Sequence, residues 1–194
     1  MAHFCFVMRT LAATFFLIAC SCSAIAETCP TAPDHIEGVN ALIKQVQKAQ
    51  SQSDARVISN QMWELWTDAP DARSQTLLDR GMARREAWDL SGALDDFNQL
   101  VEYCPNYAEG YNQRAFVNYL RQDFDAALRD LNVTIEMSPN HIGALSGRAL
   151  SLLGLKRLED ARTALSAALE LNPWLSERAL LEPGGLLEPP GEDI

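Results

Sequence analysis

The sequence predicts an all-α protein built from repeated helix-turn-helix hairpins. Its clearest stretch, residues 108–139, contains two amphipathic helices with apolar residues spaced three and four apart, joined by a polar turn at Gln122-Asp123. Prolines recur along the chain at spacings of 35, 34 and 34 residues, at Pro70, Pro105, Pro139 and Pro173. A period near 34 residues is typical of a helical array, in which similar hairpins stack on one another.

Small and bulky residues keep fixed places within each period. The small ones are Gly81, Ala115 and Ala149 in the first helix of each hairpin, and Ala93, Ala127 and Ala161 in the second. Two helices approach to about 8–10 Å only where their contacting side chains are small, so we expect these residues to mark the helix contacts. Bulky residues should fill the space beside each contact, and they are Phe97, Leu131 and Leu165. Each hairpin leaves an apolar face that only a neighbour can cover, so about three repeats are needed.

At these positions the chain resembles the tetratricopeptide repeat family. The small residue, the alanine and the proline of that motif are matched in all three units, whereas the tyrosine common in the first helix is replaced by Arg84, Asn118 or Leu152. The resemblance covers roughly residues 73–174 and implies a right-handed superhelix with repeats at about 74–107, 108–141 and 142–175. It also implies a function in binding other proteins.

Arginines recur at one place in each repeat, at Arg80, Arg114 and Arg148. In the first two repeats, Asp96 and Asp130 stand at the facing place of the second helix. We therefore expect ion pairs within these hairpins, in preference to a binding role for the arginines.

The first 26 residues have the pattern of a signal peptide. Arg9 precedes an apolar run at residues 11–19, too short to span a bilayer, and Ala24-Ile25-Ala26 is an A-x-A cleavage signal. Residues 17–20 also resemble the bacterial lipobox, which would leave a lipid-modified Cys20 at a membrane. Both patterns predict export, and we expect a periplasmic protein, with cleavage after Ala26 as the preferred alternative.

Cleavage after Ala26 would leave two cysteines, Cys29 and Cys104. An even pair in an oxidising compartment predicts a disulfide, which would tie the N-terminus to the turn between the first and second repeats. The alternative is two unrelated thiols. The formal net charge is −10, and the removed segment carries one basic residue and no acidic one. Such an acidic chain disfavours nucleic acid and anionic lipid surfaces as partners.

Residues 27–70 predict a weaker hairpin, with either Ser53 or Asp54 capping its second helix. We expect a degenerate repeat that caps the N-terminal end of the array. Trp63 and Trp66 lie three apart and so share a face of that helix. We expect both to pack against the first repeat near Leu77 and Trp88, the alternative being an aromatic clamp for a ligand such as a glycan.

Residues 175–194 predict a short capping helix, with Ser176 as a possible cap, followed by an acidic, Pro-rich tail. Leu186 and Leu187 are the apolar pair in this tail. We expect them to fold back over the last repeat; the alternative is that they form a short docking motif.

No catalytic constellation is recognisable. After residue 26 the histidines are His35 and His141, which fall in the leader and in an inter-repeat turn, and no P-loop, nucleophile elbow or HExxH motif is present. We therefore expect no catalytic residue, cofactor, metal or small-molecule substrate.

The resemblance implies a concave groove formed by the first helix of each hairpin. The residues that it places there are Leu78, Met82, Asn112, Phe116, Tyr119, Leu150 and Leu153. The Lys and Asn with which some family members hold a peptide's terminal carboxylate are not matched, so an apolar partner segment, extended or helical, is expected. The alternative is that the protein's own leader or tail fills the groove.

The sequence thus predicts a non-catalytic scaffold or adaptor in the cell envelope, with a partner protein in the groove. A membrane-anchored lipoprotein in envelope assembly is the alternative, and a small enzyme is the least favoured reading.

Overall fold

A computed structural model describes residues 28–189, so the signal peptide, the lipobox with Cys20 and residues 190–194 lie outside the described part. Within residues 28–189 the chain forms eight α-helices and one short 3₁₀ helix, and no strand, which confirms the all-α prediction. The α-helices are α1 (Ile36–Val46), α2 (Gln52–Trp66), α3 (Ala72–Glu86), α4 (Leu90–Tyr103), α5 (Ala108–Leu120), α6 (Phe124–Met137), α7 (Ile142–Gly154) and α8 (Leu158–Leu171). The 3₁₀ helix is Ser176–Leu180.

The hairpins α3/α4, α5/α6 and α7/α8 stack in sequence through α4 against α5 and α6 against α7. The predicted alanines at the helix contacts are fully buried, and so are Phe97 and Leu165. A Cβ on Gly81 would lie 2.5 Å from the Phe97 ring, which explains why a glycine stands where the other repeats have alanine. The contact positions expected from the periodicity are therefore confirmed.

The turns inside the three hairpins share a strained backbone conformation. Trp88, Gln122 and Lys156, 34 residues apart, have φ angles of 60°, 62° and 60°. Side chains with a Cβ rarely adopt this left-handed region, which glycine enters without cost. The Trp88 side chain is 70% exposed, so little packing offsets the strain.

Replacing Trp88 with glycine is therefore expected to raise the free energy of unfolding by about 0.5–1 kcal/mol. Urea unfolding followed by circular dichroism would measure the change. Trp88→Ala is the matched control, because it removes the indole but keeps the Cβ. A glycine variant no more stable than the alanine variant would show that the turn stores no strain.

Ion pairs join the two helices of the first two repeats, as the sequence predicts. Arg80 Nε donates to Asp96 Oδ1 at 2.8 Å, and Arg114 donates to both carboxylate oxygens of Asp130 at 2.8 and 2.7 Å. The hydrogen bonds with these carboxylates raise the pKa of both arginines. The arginines are therefore committed to the scaffold.

The expected N-terminal cap is wrong, because α1 and α2 do not cover the end of the first repeat. Their apolar stripe packs instead against Ile142, Leu171 and Trp174, in and just after the third repeat. Asn140 donates to Asn40, and Asn172 donates to Ser59, which fixes this placement. The physical reason is that the third repeat and the chain after α8 offer an apolar surface to which the stripe is complementary. The hairpin thus lies along the edge formed by the inter-repeat turns.

The start of α2 also differs from the prediction. Its N-cap is Ser51, whose hydroxyl accepts a hydrogen bond from the Asp54 backbone N–H at 3.1 Å, and not Ser53 or Asp54. The first helical residues are therefore those that the sequence analysis treated as a turn.

The C-terminal segment folds back, as expected. Leu187 is fully buried in an apolar cluster with Leu152 and Leu165, and Arg162 Nε donates to the Leu187 carbonyl at 3.0 Å. Leu186 is 69% exposed. The capping helix is a single 3₁₀ turn, and Ser176 is its first residue, not its cap.

A disulfide joins Cys29 to Cys104, whose Cα atoms lie 5.1 Å apart. It attaches the leader before α1 to the turn between α4 and α5, and Cys104 is buried there in the core of the first repeat. Among the described helices, none has the length and hydropathy needed to cross a membrane.

Candidate protein-binding groove

A cavity of about 630 Å³ lies between α2 and the concave face of the repeats. The first helices of the three hairpins, α3, α5 and α7, contribute Met82, Phe116 and Leu150 to one wall. Trp63 and Glu64 of α2 stand on the other side. The concave groove is therefore present, and the protein's own second helix forms one of its walls.

The structure brings five of the seven predicted groove residues to this cavity, namely Met82, Asn112, Phe116, Tyr119 and Leu150. Leu78 does not reach it, because its side chain is fully buried beside Ala93 and Phe97. Leu153 packs against the apolar cluster of the third repeat and is not part of the cavity wall. Phe116 is 45% exposed, so a large aromatic ring faces the groove.

Arg85 is a cavity residue that the predicted set does not contain. Its guanidinium lies 4.8 Å from the centre of the Phe116 ring, and its Nη1 donates to Gln113 Oε1. The side chain is 13% exposed, and burial lowers the pKa of Arg85. A cation above an aromatic face attracts its ring electrons, so Arg85 holds Phe116 in place.

Beside the cavity lies a buried set of polar side chains that we call the Glu109 cluster: Glu109, Asn112, Gln113 and His141. Each is at most 5% exposed. Glu109 accepts hydrogen bonds from Asn112 at 3.2 Å and from Gln113 at 2.5 Å, and its Oε2 lies 2.7 Å from His141 Nε2. The cluster thus joins α5 to the turn that precedes α7.

Both nitrogens of His141 are occupied. Its Nδ1 accepts a hydrogen bond from the Ala144 backbone N–H at 3.1 Å, so the ring proton is on Nε2 and is donated to Glu109. This arrangement leaves no free lone pair for proton abstraction or for binding a metal. His141 therefore has a structural role at the start of α7.

The tryptophans of α2 cover this cluster. The Trp66 ring stacks on His141 with 4.1 Å between centroids, and Trp63 lies perpendicular to Trp66 at 5.4 Å. A Cβ on Gly143 would lie 2.9 Å from the Trp63 ring, so the glycine permits α2 to approach α7. The expectation that both tryptophans pack near Leu77 and Trp88 is wrong, because the hairpin docks on the third repeat.

Tyr107 fixes the C-terminal end of α2. Its hydroxyl donates to the Trp66 carbonyl at 2.8 Å, and burial raises the pKa of this phenol. Elsewhere on the hairpin, His35 Nε2 lies 2.7 Å from Asp68 on an exposed surface. Among residues 28–189, no group of three or more Cys, His, Asp or Glu side chains is placed to hold a metal ion.

Sequence reasoning missed the Glu109 cluster because its members lie far apart in the chain. Glu109 and His141 are separated by 32 residues, close to one repeat, and the sequence analysis gave neither a role. A polar pair at adjacent repeat boundaries is the signal that could have found it. Its burial, however, depends on Trp66, whose position did not follow from the repeat pattern.

Comparison with known proteins identifies the architecture. No family model matches the chain. A tetratricopeptide repeat protein 36 homolog of Nematostella vectensis is 46% identical over 44 residues, which are 23% of this chain and 24% of that protein. The match therefore spans about a quarter of the curated relative.

Solved structures match over a longer stretch. The TPR2B domain of yeast Sti1, in a pHsp70 complex, is 24% identical with a TM-score of 0.51, covering 52% of this chain and 81% of that one. The second TPR domain of human RPAP3, in complex with an HSP70 peptide, is 18% identical with a TM-score of 0.52, covering 54% and 88%. MamA of Desulfovibrio magneticus is 17% identical with a TM-score of 0.50, covering 74% and 78%. With its three stacked hairpins, the chain has the tetratricopeptide-repeat fold.

Proposed function

We propose that this chain is a non-catalytic protein-binding module that takes an apolar segment of a partner protein in the cavity between α2 and the repeats. The observation that carries the proposal is Phe116, a large apolar side chain that is 45% exposed inside a cavity of about 630 Å³. Exposed apolar surface of this kind is costly in water, and its usual role in a soluble domain is to contact a partner.

The lining indicates the chemistry of the partner. Met82, Tyr119 and Leu150 surround Phe116, and the buried Asn112 and Gln113 are the polar groups nearby. Aromatic and aliphatic side chains of a partner would be desolvated against these residues, which is where interfaces gain most of their affinity. The Sti1 and RPAP3 domains, whose folds are similar, were solved with Hsp70-derived partners, and this supports a peptide-binding role.

We further propose that the module works in the cell envelope. The signal-peptide pattern of residues 1–26 supports export, and so does the Cys29–Cys104 disulfide, since such bonds persist in oxidising compartments. N-terminal sequencing of the protein purified from its native host would test this: a start at Glu27 means a released protein. A blocked, lipid-modified Cys20 would favour the lipoprotein alternative, and Cys20→Ser should then release the protein from membranes.

A photo-reactive phenylalanine analogue at position 116 tests partner binding in the native host. We expect discrete adducts with another protein, because this side chain faces the cavity. The same analogue at position 88 is the control, since Trp88 is an exposed aromatic in a hairpin turn of α3/α4. Phe116→Glu should reduce co-purification of that protein at least about tenfold, because it places an uncompensated carboxylate in an apolar interface.

Circular dichroism must show unchanged helicity for Phe116→Glu. Two outcomes would overturn the proposal: identical adducts from positions 116 and 88, or adducts only with the protein's own leader or with residues around Leu186.

A further inference from the structure

The hairpin of α1 and α2 is attached to the repeats at one of its two ends. Before α1, the disulfide ties Cys29 to Cys104 at the end of α4; after α2, residues 67–71 lead directly into α3. Ala69 in this connection is buried in the same apolar cluster as Cys104 and Tyr107. Both attachments therefore lie side by side at the first repeat.

The opposite end of the hairpin, which we call the tip (residues 47–52), has no covalent link to the surface it covers. Gln47 Nε2 donates to the Glu170 carbonyl at 2.8 Å, and Gln52 Nε2 donates to the Trp174 carbonyl at 2.9 Å. Arg178 Nη1 donates to Gln52 Oε1 at 3.1 Å. These bonds are exposed, so water competes for the same groups and each bond holds the tip weakly.

The repeats have cores that do not include the hairpin helices. Separate apolar clusters surround Phe97, Leu131 and Leu165, whereas α1 and α2 contribute to a cluster with Ile142. Three stacked repeats are enough for a stable array, and such arrays lose individual elements before they unfold globally. The hairpin can thus leave its site while the array stays folded.

The cavity is too small for a helical partner while the hairpin is in place. Two turns of α-helix, about 10 Å across and 11 Å long, occupy roughly 850 Å³. The cavity offers about 630 Å³, with Trp63 of α2 as part of its wall. A partner helix can enter if α2 moves away from α7.

We propose that the α1–α2 hairpin is a hinged lid, which swings about the Cys29–Cys104 disulfide and residues 67–71 and opens the groove to an amphipathic helix of the partner. This inference rests on the proposed function, because it describes how the same groove is reached. The tip leaves Leu171 and Trp174 first, and the Trp66–His141 stack beside the hinge separates last.

Hydrogen exchange read by mass spectrometry tests the motion in the whole protein. We expect residues 36–66 to exchange together and faster than residues 108–137. Gln47→Ala with Gln52→Ala removes the tip bonds and should speed exchange of residues 36–66 by about tenfold, leaving 108–137 unchanged. Gln99→Ala is the matched control, since this exposed glutamine bonds within its own helix. Equal exchange of the two regions in every variant would overturn the lid.

A chemical staple tests whether the lid controls access. Gln47→Cys and Glu170→Cys place two exposed thiols at the tip contact, and a short bismaleimide then holds the hairpin closed. The same double variant capped with a monofunctional maleimide is the control. Binding is read with the crosslinker at position 116. We expect the capped protein to trap the partner and the stapled protein to lose most of that adduct.

The outcomes separate the two proposals. If stapled and capped proteins trap the partner equally, the lid is overturned while the proposed function stands. If neither traps a partner, although unmodified protein without the added cysteines does, the tip itself is part of the binding surface and the hinged lid is wrong. If unmodified protein also traps nothing, the proposed function fails and the lid has no partner to admit.

Discussion

Replacing Glu109 with alanine is expected to lower the free energy of unfolding by about 3–5 kcal/mol. Its carboxylate is 1% exposed and receives hydrogen bonds from Asn112, Gln113 and His141. The variant would leave all three donors buried without their acceptor, and each unsatisfied group carries a desolvation penalty. Because whole domains are stable by only about 5–15 kcal/mol, this one change would remove much of the margin.

Urea unfolding at low temperature, followed by circular dichroism, would measure this loss. Glu102→Ala is the matched control, since Glu102 is an exposed residue of the neighbouring helix α4, and it should change stability by less than about 0.5 kcal/mol. Glu109→Gln should lie between the two, because its amide oxygen accepts while its amide nitrogen faces other donors. A loss below about 1 kcal/mol for Glu109→Ala would mean that water reaches the cluster and replaces the carboxylate.

The three repeats could be predicted because their determinants are local and recur. A small residue such as Ala127 permits close approach of the two helices, and a bulky one such as Leu131 fills the adjoining space, whatever lies elsewhere in the chain. The ion pair of Arg114 with Asp130 follows from the same register. Stacking then requires only that each hairpin meet the next.

The placement of α1 and α2 could not be predicted in the same way. Val39, Ile43 and Met62 reveal an apolar stripe, but a stripe does not say which surface covers it. The end of the first repeat and the face around Ile142 were both possible, and the second is occupied. That choice depends on the combined shape of elements more than 100 residues apart, for which the chain contains no local signal.

The groove was partly predictable for a related reason. Phe116 and Leu150 stand at the cavity because groove positions follow the repeat register. Leu78 has the same register, but the chain that enters α3 from α2 adds Ala69 to its surroundings and buries it. Arg85 and the Glu109 cluster gain their roles from contacts between repeats and from the cover that Trp66 provides, so they could be found only in the folded structure.

Replacing Cys29 with serine is expected to lower the free energy of unfolding by about 4–5 kcal/mol, if the disulfide acts by restricting the unfolded chain. The bond links residues 75 apart, and the entropy that a crosslink removes from the unfolded state grows with that separation. Cys29 is preferred over Cys104 for the test because Cys104 is buried in the first repeat, where a serine would add a hydroxyl without a partner. Reduction of the unaltered protein should reproduce the effect, and unchanged stability in both experiments would contradict it.

Hydrogen exchange in the Cys29→Ser protein decides where the disulfide acts. If it acts on the unfolded chain, residues 108–137, which exchange through global unfolding, should speed up with the loss of stability. If it acts only as one hinge of the lid, residues 36–66 should speed up while 108–137 keep their rate, and urea unfolding of the repeats should change little. In the second case the redox state of the compartment would set how freely the hairpin opens, because one hinge of the lid is a bond that a reductant can break.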